Sequence, residues 1–311
     1  LLLKDLERQG SLKRRHYGSL AIRKAIQRND LPTIHKLVPF VDLEGFETIQ
    51  GYYGLLEDMP LRTPLAEAIV QKSLAMAQIL LESGVDPNKI VYKEELEDKI
   101  SGGVTMLRYS SLLVAVSVGY LPMIEMMIQY GADIDYPPRF QLTRTPLQLA
   151  AETGNMEIVK YLLEKGALVD SFPLYSGGTP LQLAALRGHV GVATFLIEKG
   201  ANPNFPPARG DGRTAFEAAA EWARLDTMLL LMRHGTDLDL KVSCDDNTFQ
   251  SLYRGYNREG GGEIGKTQYT RAKFFAKCAG HPASARFVDH LYQRFREAVR
   301  RSEPDDALQG P

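Results

Sequence analysis

One run in the sequence has the letters of a phosphate-gripping loop: Gly260-Gly261-Gly262-Glu263-Ile264-Gly265-Lys266-Thr267 fits G-x-x-x-x-G-K-[ST] at every specified position. In that chemistry backbone amides and a helix N-terminus surround the phosphates, while the lysine balances their charge. Such a loop works only when a buried apolar strand feeds it. The preceding residues, Thr248 to Glu259, hold no apolar run, and no companion strand ending in a magnesium-binding aspartate is found. The run reads as a glycine-rich inserted finger, with nucleotide binding at 260–267 kept as an alternative.

Other reactive side chains are scattered. His16, His35, His189, His234, His281 and His290 are far apart, and Cys244 and Cys278 have no pair of histidines at ligand spacing. Neither H-E-x-x-H nor G-x-S-x-G occurs. No catalytic residue, cofactor or metal is therefore expected, and the chain is read as a non-enzyme. Two cysteines are too few for a disulfide framework and point to a reducing setting, cytoplasmic or nuclear. The 37 basic residues balance 38 acidic ones, so net charge gives no reason to seek nucleic acid. Locally, Arg271 to Arg301 holds eight Lys or Arg against Asp289 and Glu297. This basic stretch could grip an acidic or nucleic-acid partner. The favoured reading is a capping helix packed through Phe287, Val288, Leu291 and Phe295 with its arginines in water. Lys13-Arg14-Arg15-His16 is read as a solvated segment rather than a localisation signal. No apolar run approaches the roughly 20 residues that span a bilayer. The opening Leu1 to Gly10 is too short and charged for a signal peptide, so the chain is expected to be a piece of a longer polypeptide.

The elements that position these residues come from self-similarity. Thr145-Pro146-Leu147-Gln148-Leu149-Ala150-Ala151 returns 34 residues later as Thr179-Pro180-Leu181-Gln182-Leu183-Ala184-Ala185. Looser copies begin at Thr63 and Thr214. Aligned on the alanine inside each first helix, the units fall at Ala25, Ala68, Ala115, Ala150, Ala184, Ala219 and Ala276, with steps of 43, 47, 35, 34, 35 and 57. The long steps imply insertions near 42–62, 89–109 and 240–266.

Each unit follows from local physics. Threonine before proline opens a helix, its hydroxyl accepting from an orphan amide while proline sits where an N–H is not needed. Four residues past the anchor stands Asn29, Gly119, Gly154, Gly188 or Gly280, residue types that tolerate a left-handed helix end. Lys72 and Ala223 break this rule, so those two corners are expected to be less regular. A second helix follows with apolar residues at helical spacing, as in Met123, Ile124, Met127, Ile128 and Ile158, Val159, Leu162, Leu163. One helix pair cannot bury its own stripe, so the pairs must stack.

These motifs resemble the ankyrin repeat, with its Thr-Pro-Leu-His-x-Ala opening and its Gly-Ala-Asp hairpin start, and the overall pattern is similar to large fungal ankyrin proteins. The resemblance implies an all-α ankyrin-repeat solenoid of about six to seven helix-turn-helix units with hairpin loops and three insertions. The units lie near 18–42, 63–88, 110–135, 144–170, 178–204, 213–239 and 267–297, within a domain at 18–301, flanked by an N-terminal segment (1–17) and a disordered tail (302–311). It also implies a scaffold, monomeric or part of a larger chain, that binds a protein partner on a concave groove and on hairpin tips, with nucleic acid and membrane disfavoured. The positions it assigns to the partner are Arg144, Glu152, Tyr175, Leu186, Arg187, Arg209, Arg213, Glu221 and Trp222. His189 and His281 stand where the family places a histidine that bonds a neighbouring loop.

Overall fold

A computed structural model of the chain describes residues 21–41, 43–44, 61–97, 104–137, 144–172, 177–208, 212–242 and 267–302. It is mostly helical. The helices come in pairs: α1 (21–27) with α2 (Leu31–Leu37), α3 (Pro64–Val70) with α4 (Leu74–Glu82), and α5 (Ser111–Val118) with α6 (Leu121–Gln129). Then follow α7 (Pro146–Thr153) with α8 (Met156–Glu164), α9 (Pro180–Arg187) with α10 (Val190–Glu198), α11 (Ala215–Glu221) with α12 (Leu225–Arg233), and α13 (Gln268–Cys278) with α14 (Pro282–Ser302). The chain divides into two compact units, one of residues 1–149 and 160–167, the other of 150–159 and 168–311.

In each unit first helices stack on first helices and second on second: α3 on α5, α4 between α2 and α6, and in the other unit α11 between α9 and α13, with α12 between α10 and α14. The repeated letters explain this. Leu181, Ala184 and Ala185 have no exposed surface, nor have Phe216, Ala219 and Ala220, because alanine lets neighbouring first helices approach closely. On the second helices Val192, Ala193 and Leu196 are buried, as are Met123, Ile124 and Met127. The step of 57 residues between Ala219 and Ala276 does not interrupt the stack, since α11 packs directly on α13.

Helix entries are built as the threonines predict. The hydroxyls of Thr63, Ser110, Thr145, Thr179, Thr214 and Thr267 each accept from the amide three residues on. In three of these boxes Gln148, Gln182 or Glu217 closes the return bond to the threonine amide. The corners correct one expectation. Lys72 and Ala223 take φ of 55° and 53°, beside Asn29 at 57° and Gly188 at 78°, so their corners are as regular as the rest. Ser73 N donates to Ala68 O and Arg224 N to Ala219 O, as His189 N does to Ala184 O. Stacking fixes the corner geometry, and the residue absorbs the strain.

Hairpin starts are zipped by asparagine. Asn204 Nδ2 donates to Gly235 O while its Oδ1 accepts from Asp237 N, and Asn88 makes the same pair of bonds to Gly131 O and Asp133 N. The insertion at 89–109 adds something the helical reading lacks. Strands β1 (Leu61–Arg62), β2 (Ile90–Glu97) and β3 (Val104–Ser110) form an antiparallel sheet in the order β1-β2-β3, packed beside α3 and α5.

Candidate functional site

The positions that the repeat register assigns to a partner cluster at the corners after the first helices of the second unit. Glu152 ends α7, Leu186 and Arg187 end α9, and Glu221 and Trp222 end α11. Each corner is tied to the next. Arg187 Nη2 donates to Glu152 Oε1 at 3.0 Å, the His189 ring meets the Glu152 carbonyl at 3.1 Å, and Arg224 Nε donates to the Leu186 carbonyl at 3.4 Å. The His189 contact is the loop-bonding histidine that the resemblance implies. Glycine leaves room where these links cross: a Cβ on Gly154 would stand 2.6 Å from the His189 ring, and one on Gly188 2.7 Å from Arg224 Cδ, in a side chain that can shift.

Two large apolar side chains are left at the edge of this row. Trp222 is 49% exposed and Leu225, three residues on, is 43% exposed. Trp222 has no choice of side: it caps α11, its amide donating to Ala218 O, while Ala223 in the left-handed region turns the chain into α12. At the hairpin tips Phe172 is 74% exposed and meets Phe205 edge to face, with centroids 5.8 Å apart. Phe172 is absent from the positions that the repeat register assigns to a partner, because it comes only two residues after the hairpin start Gly166 to Asp170. Tyr175 and Arg209 lie outside the described residues, and Arg144 belongs to the first unit, half-buried.

Arg213 and Glu221 are placed differently. Arg213 Nε donates to Glu221 Oε2 at 2.8 Å and Nη2 to Oε1 at 3.3 Å, and its guanidinium lies 3.6 Å from the centre of the Phe275 ring. Glu221 is thus engaged within its own repeat, and Arg213 also reaches α13 through Phe275. Cys278 stands beside them, exposed, and partial burial followed by the Glu221 charge pushes its thiol above the usual range. That is the opposite of what a nucleophilic thiolate needs.

The basic C-terminal stretch is also redistributed. Arg271, counted with its charges, is buried and holds Glu217 through Nε at 2.6 Å and Nη2 at 3.1 Å. Lys273 pairs with Asp289 and Arg296 with Asp239, which leaves Lys277, Arg286, Arg294, Arg300 and Arg301 on the surface of the last pair. Val288 and Leu291 are buried beneath them and Phe287 and Phe295 half-buried. Stacked Tyr269 and Tyr292, centroids 3.9 Å apart, donate to Asp289 and Asp239.

Gly260 to Lys266 lies outside the described residues, but the helix that would receive a phosphate is described. Thr267 caps α13, accepting from Thr270 N; Gln268 N donates to Leu240 O and Tyr269 N to Leu238 O. The first amides of that helix, which a phosphate cradle would need, are committed within the protein. Among the described residues no three His, Cys, Asp or Glu come together as a metal site requires, and no helix is long and apolar enough to cross a membrane.

A repeat of about 34 residues, built from capped helix pairs, glycine corners and zipped hairpins, defines an ankyrin-type module. The ankyrin-repeat family model matches this chain in three copies, over residues 112–207 and 171–242. Residues 112–242 are ankyrin repeats. An ankyrin repeat protein of fowlpox virus is 29% identical over 157 residues, 48% of this chain and 46% of the viral one. Alpha-latrocrustotoxin-Lt1a of Latrodectus tredecimguttatus is 31% identical over 109 residues, 35% of this chain and 7% of the toxin. Phosphocholine transferase AnkX of Legionella pneumophila is 37% identical over 65 residues, 20% of this chain and 6% of the transferase. The match spans less than half the length of each of these relatives, which are viral, animal and bacterial; the fungal likeness remains an expectation from sequence.

Proposed function

We propose that this chain is a non-enzymatic interaction module that holds a protein partner on the corner face of its second unit, through Leu186, Arg187, Trp222 and Leu225. Ankyrin repeats are in general protein–protein interaction modules. The observation that supports this face is Trp222: the single tryptophan of the chain stands half in water at a repeat corner, with Leu225 close by in sequence and arginines at the adjoining corners. Tryptophan and arginine dominate binding energy at interfaces. The transferase activity in the name of the Legionella relative does not enter this reading, because the match covers only 6% of that protein. The two cysteines favour a cytosolic or nuclear setting.

The test compares the immobilised chain with its Trp222→Ala/Arg187→Ala variant by quantitative mass spectrometry. A partner that is lost selectively is then purified and measured by calorimetry. A hot spot of about 2 kcal/mol corresponds to binding roughly 30-fold weaker, with thermal melting nearly unchanged since Arg187 and Trp222 lie on the surface. A partner held equally by both proteins would move the site elsewhere.

A further inference from the structure

The last helix pair departs from its siblings in length. The second helices α4, α6, α8, α10 and α12 have nine residues each, whereas α14 has 21 and runs on past His290 to Ser302. Stacking does not ask for that extension. Its inner side is nevertheless fixed to the array: Leu291 is buried, and Tyr292 Oη and Arg296 Nη1 donate to the Asp239 carboxylate of the preceding repeat at 2.8 and 2.9 Å. Nearer the start of the helix, Ser284 Oγ donates to Ala220 O in α11 at 2.8 Å. A helix held in this way at its start and along its extension loses little freedom when something binds to its outer side.

That outer side carries a line of ionisable residues. Arg286, His290, Arg294, Glu297 and Arg301 follow one another at steps of four, four, three and four, the spacing that keeps side chains on one face of a helix. All five are exposed. At 1.5 Å per residue the line is about 22 Å long. On its flanks Lys273 and Arg296 pair with Asp289 and Asp239, whereas Arg286, Arg294 and Arg301 form no ion pair among the described residues. The helix dipole accounts for Arg301, which stands in the last turn. It gives no such support to Arg286 and Arg294, which come well before that turn.

We propose that this line docks a helix of a partner protein that sets carboxylates against Arg286, Arg294 and Arg301 and a cation against Glu297. The change of sign at Glu297 favours such a helix over a uniform polyanion. A nucleic acid or an anionic lipid surface would bring phosphates against Glu297 as well, and Phe287, Tyr292 and Phe295, the rings of α14 that could stack on bases, are half-buried. Opposed charges along two helices lying side by side select the partner and fix its register and direction, as they do beside the seam of a coiled coil. The surface uses none of the corner residues.

The experiment measures binding to the full chain at low salt by fluorescence anisotropy. The probes are helical peptides of about 20 residues, long enough to cover the line, with glutamates placed to meet Arg286, Arg294 and Arg301 and a lysine to meet Glu297, one peptide in parallel and one in antiparallel order. An isomer of each has the lysine moved to meet Arg294; an all-glutamate peptide, poly(U) RNA, duplex DNA and phosphatidylserine vesicles complete the set. One patterned peptide is expected to bind about tenfold more tightly than its isomer. Arg286→Gln/Arg294→Gln should weaken it about tenfold at an unchanged melting temperature, while Lys165→Gln/Lys199→Gln, which removes two exposed lysines outside α14, should leave it bound as before. Glu297→Lys should turn the preference towards the all-glutamate peptide. The proposal is overturned if neither patterned peptide binds, if the isomers bind as well, or if Arg286→Gln/Arg294→Gln binds unchanged. It is overturned too if nucleic acid or vesicles are held more tightly than the peptides and are released by that same variant, which would make the line a polyanion site.

Discussion

Replacing Glu217 by glutamine isolates one contribution to the fold of the second unit. The Glu217 side chain is fully buried; it takes Arg271 Nε at 2.6 Å and Nη2 at 3.1 Å, and Oε2 also accepts the Thr214 amide at 3.1 Å. Glutamine can keep the last bond, because Gln148 and Gln182 occupy the same place in their repeats and accept the Thr145 and Thr179 amides at 2.9 Å. It cannot keep the charge, nor offer two acceptors to the guanidinium fork. Arg271, with 2% of its side chain exposed, would lose the carboxylate that holds both its Nε and its Nη2. Breaking one side of a buried pair costs about 3–5 kcal/mol, whereas losing a helix cap costs about 1 kcal/mol.

Urea unfolding followed by circular dichroism is therefore expected to show Glu217→Gln destabilised by about 3–5 kcal/mol, and Thr214→Ala by about 1 kcal/mol. Added salt should change the first figure little, because the Glu217–Arg271 pair is out of the solvent. Hydrogen exchange should place the loss in α11, α13 and α14, since arrays open from their ends. Removing both charges in Glu217→Gln/Arg271→Met should restore most of the stability, as buried pairs are commonly replaceable by apolar groups. A Glu217→Gln protein within about 1 kcal/mol of its parent, or a double variant no better than the single one, would refute the reasoning that this pair clamps the last helix pair to the array.

Gly154→Ala must both hold alanine at φ 75° and displace the His189 ring, whereas Gly200→Ala meets only the backbone penalty, with open space around its Cβ; urea melts should show losses of about 2–3 and about 1 kcal/mol respectively. Ala223→Gly relieves a residue held at φ 53° and should stabilise by about 0.5–1 kcal/mol, read as a higher urea midpoint. Asp170 stands where Asn88 and Asn204 stand in their hairpins; its Oδ2 accepts the Asn202 amide at 2.9 Å, but its buried Oδ1 has no partner among the described residues. Burial pushes its carboxyl above the usual value, the Asn202 bond partly offsetting this. Its folded pKa being higher than the unfolded one, stability from this site falls as pH rises through that interval. Asp170→Asn should remove that slope and, by donating to Gly200 O as its siblings donate to theirs, gain about 1 kcal/mol at neutral pH in melts run across pH.

What was legible in the sequence is what each repeat decides alone. Threonine caps, the buried alanines and the apolar stripe of the second helix recur at fixed spacing because every pair solves the same local problem. What was not legible depends on neighbours. Ala223 and Lys72 do not look like residues for a left-handed corner, yet stacking on both sides forces them into one, so residue type was a poor guide to geometry there. The strands at 90–97 and 104–110 were passed over because Lys93-Glu94-Glu95 breaks any apolar alternation; β2 gains its stability from pairing with β3 and from packing beside α5. Glu217 and Arg271 are 54 residues apart, and no periodicity links them. One signal was nevertheless present. Where two siblings carry glutamine at a buried capping position, a third carrying glutamate calls for a cation, and here the adjoining repeat supplies it through Arg271. The insertion between α11 and α13 hid how close that neighbour was. Across any such interruption the test for adjacency is whether buried charges on the two sides balance, a stricter criterion than sequence spacing.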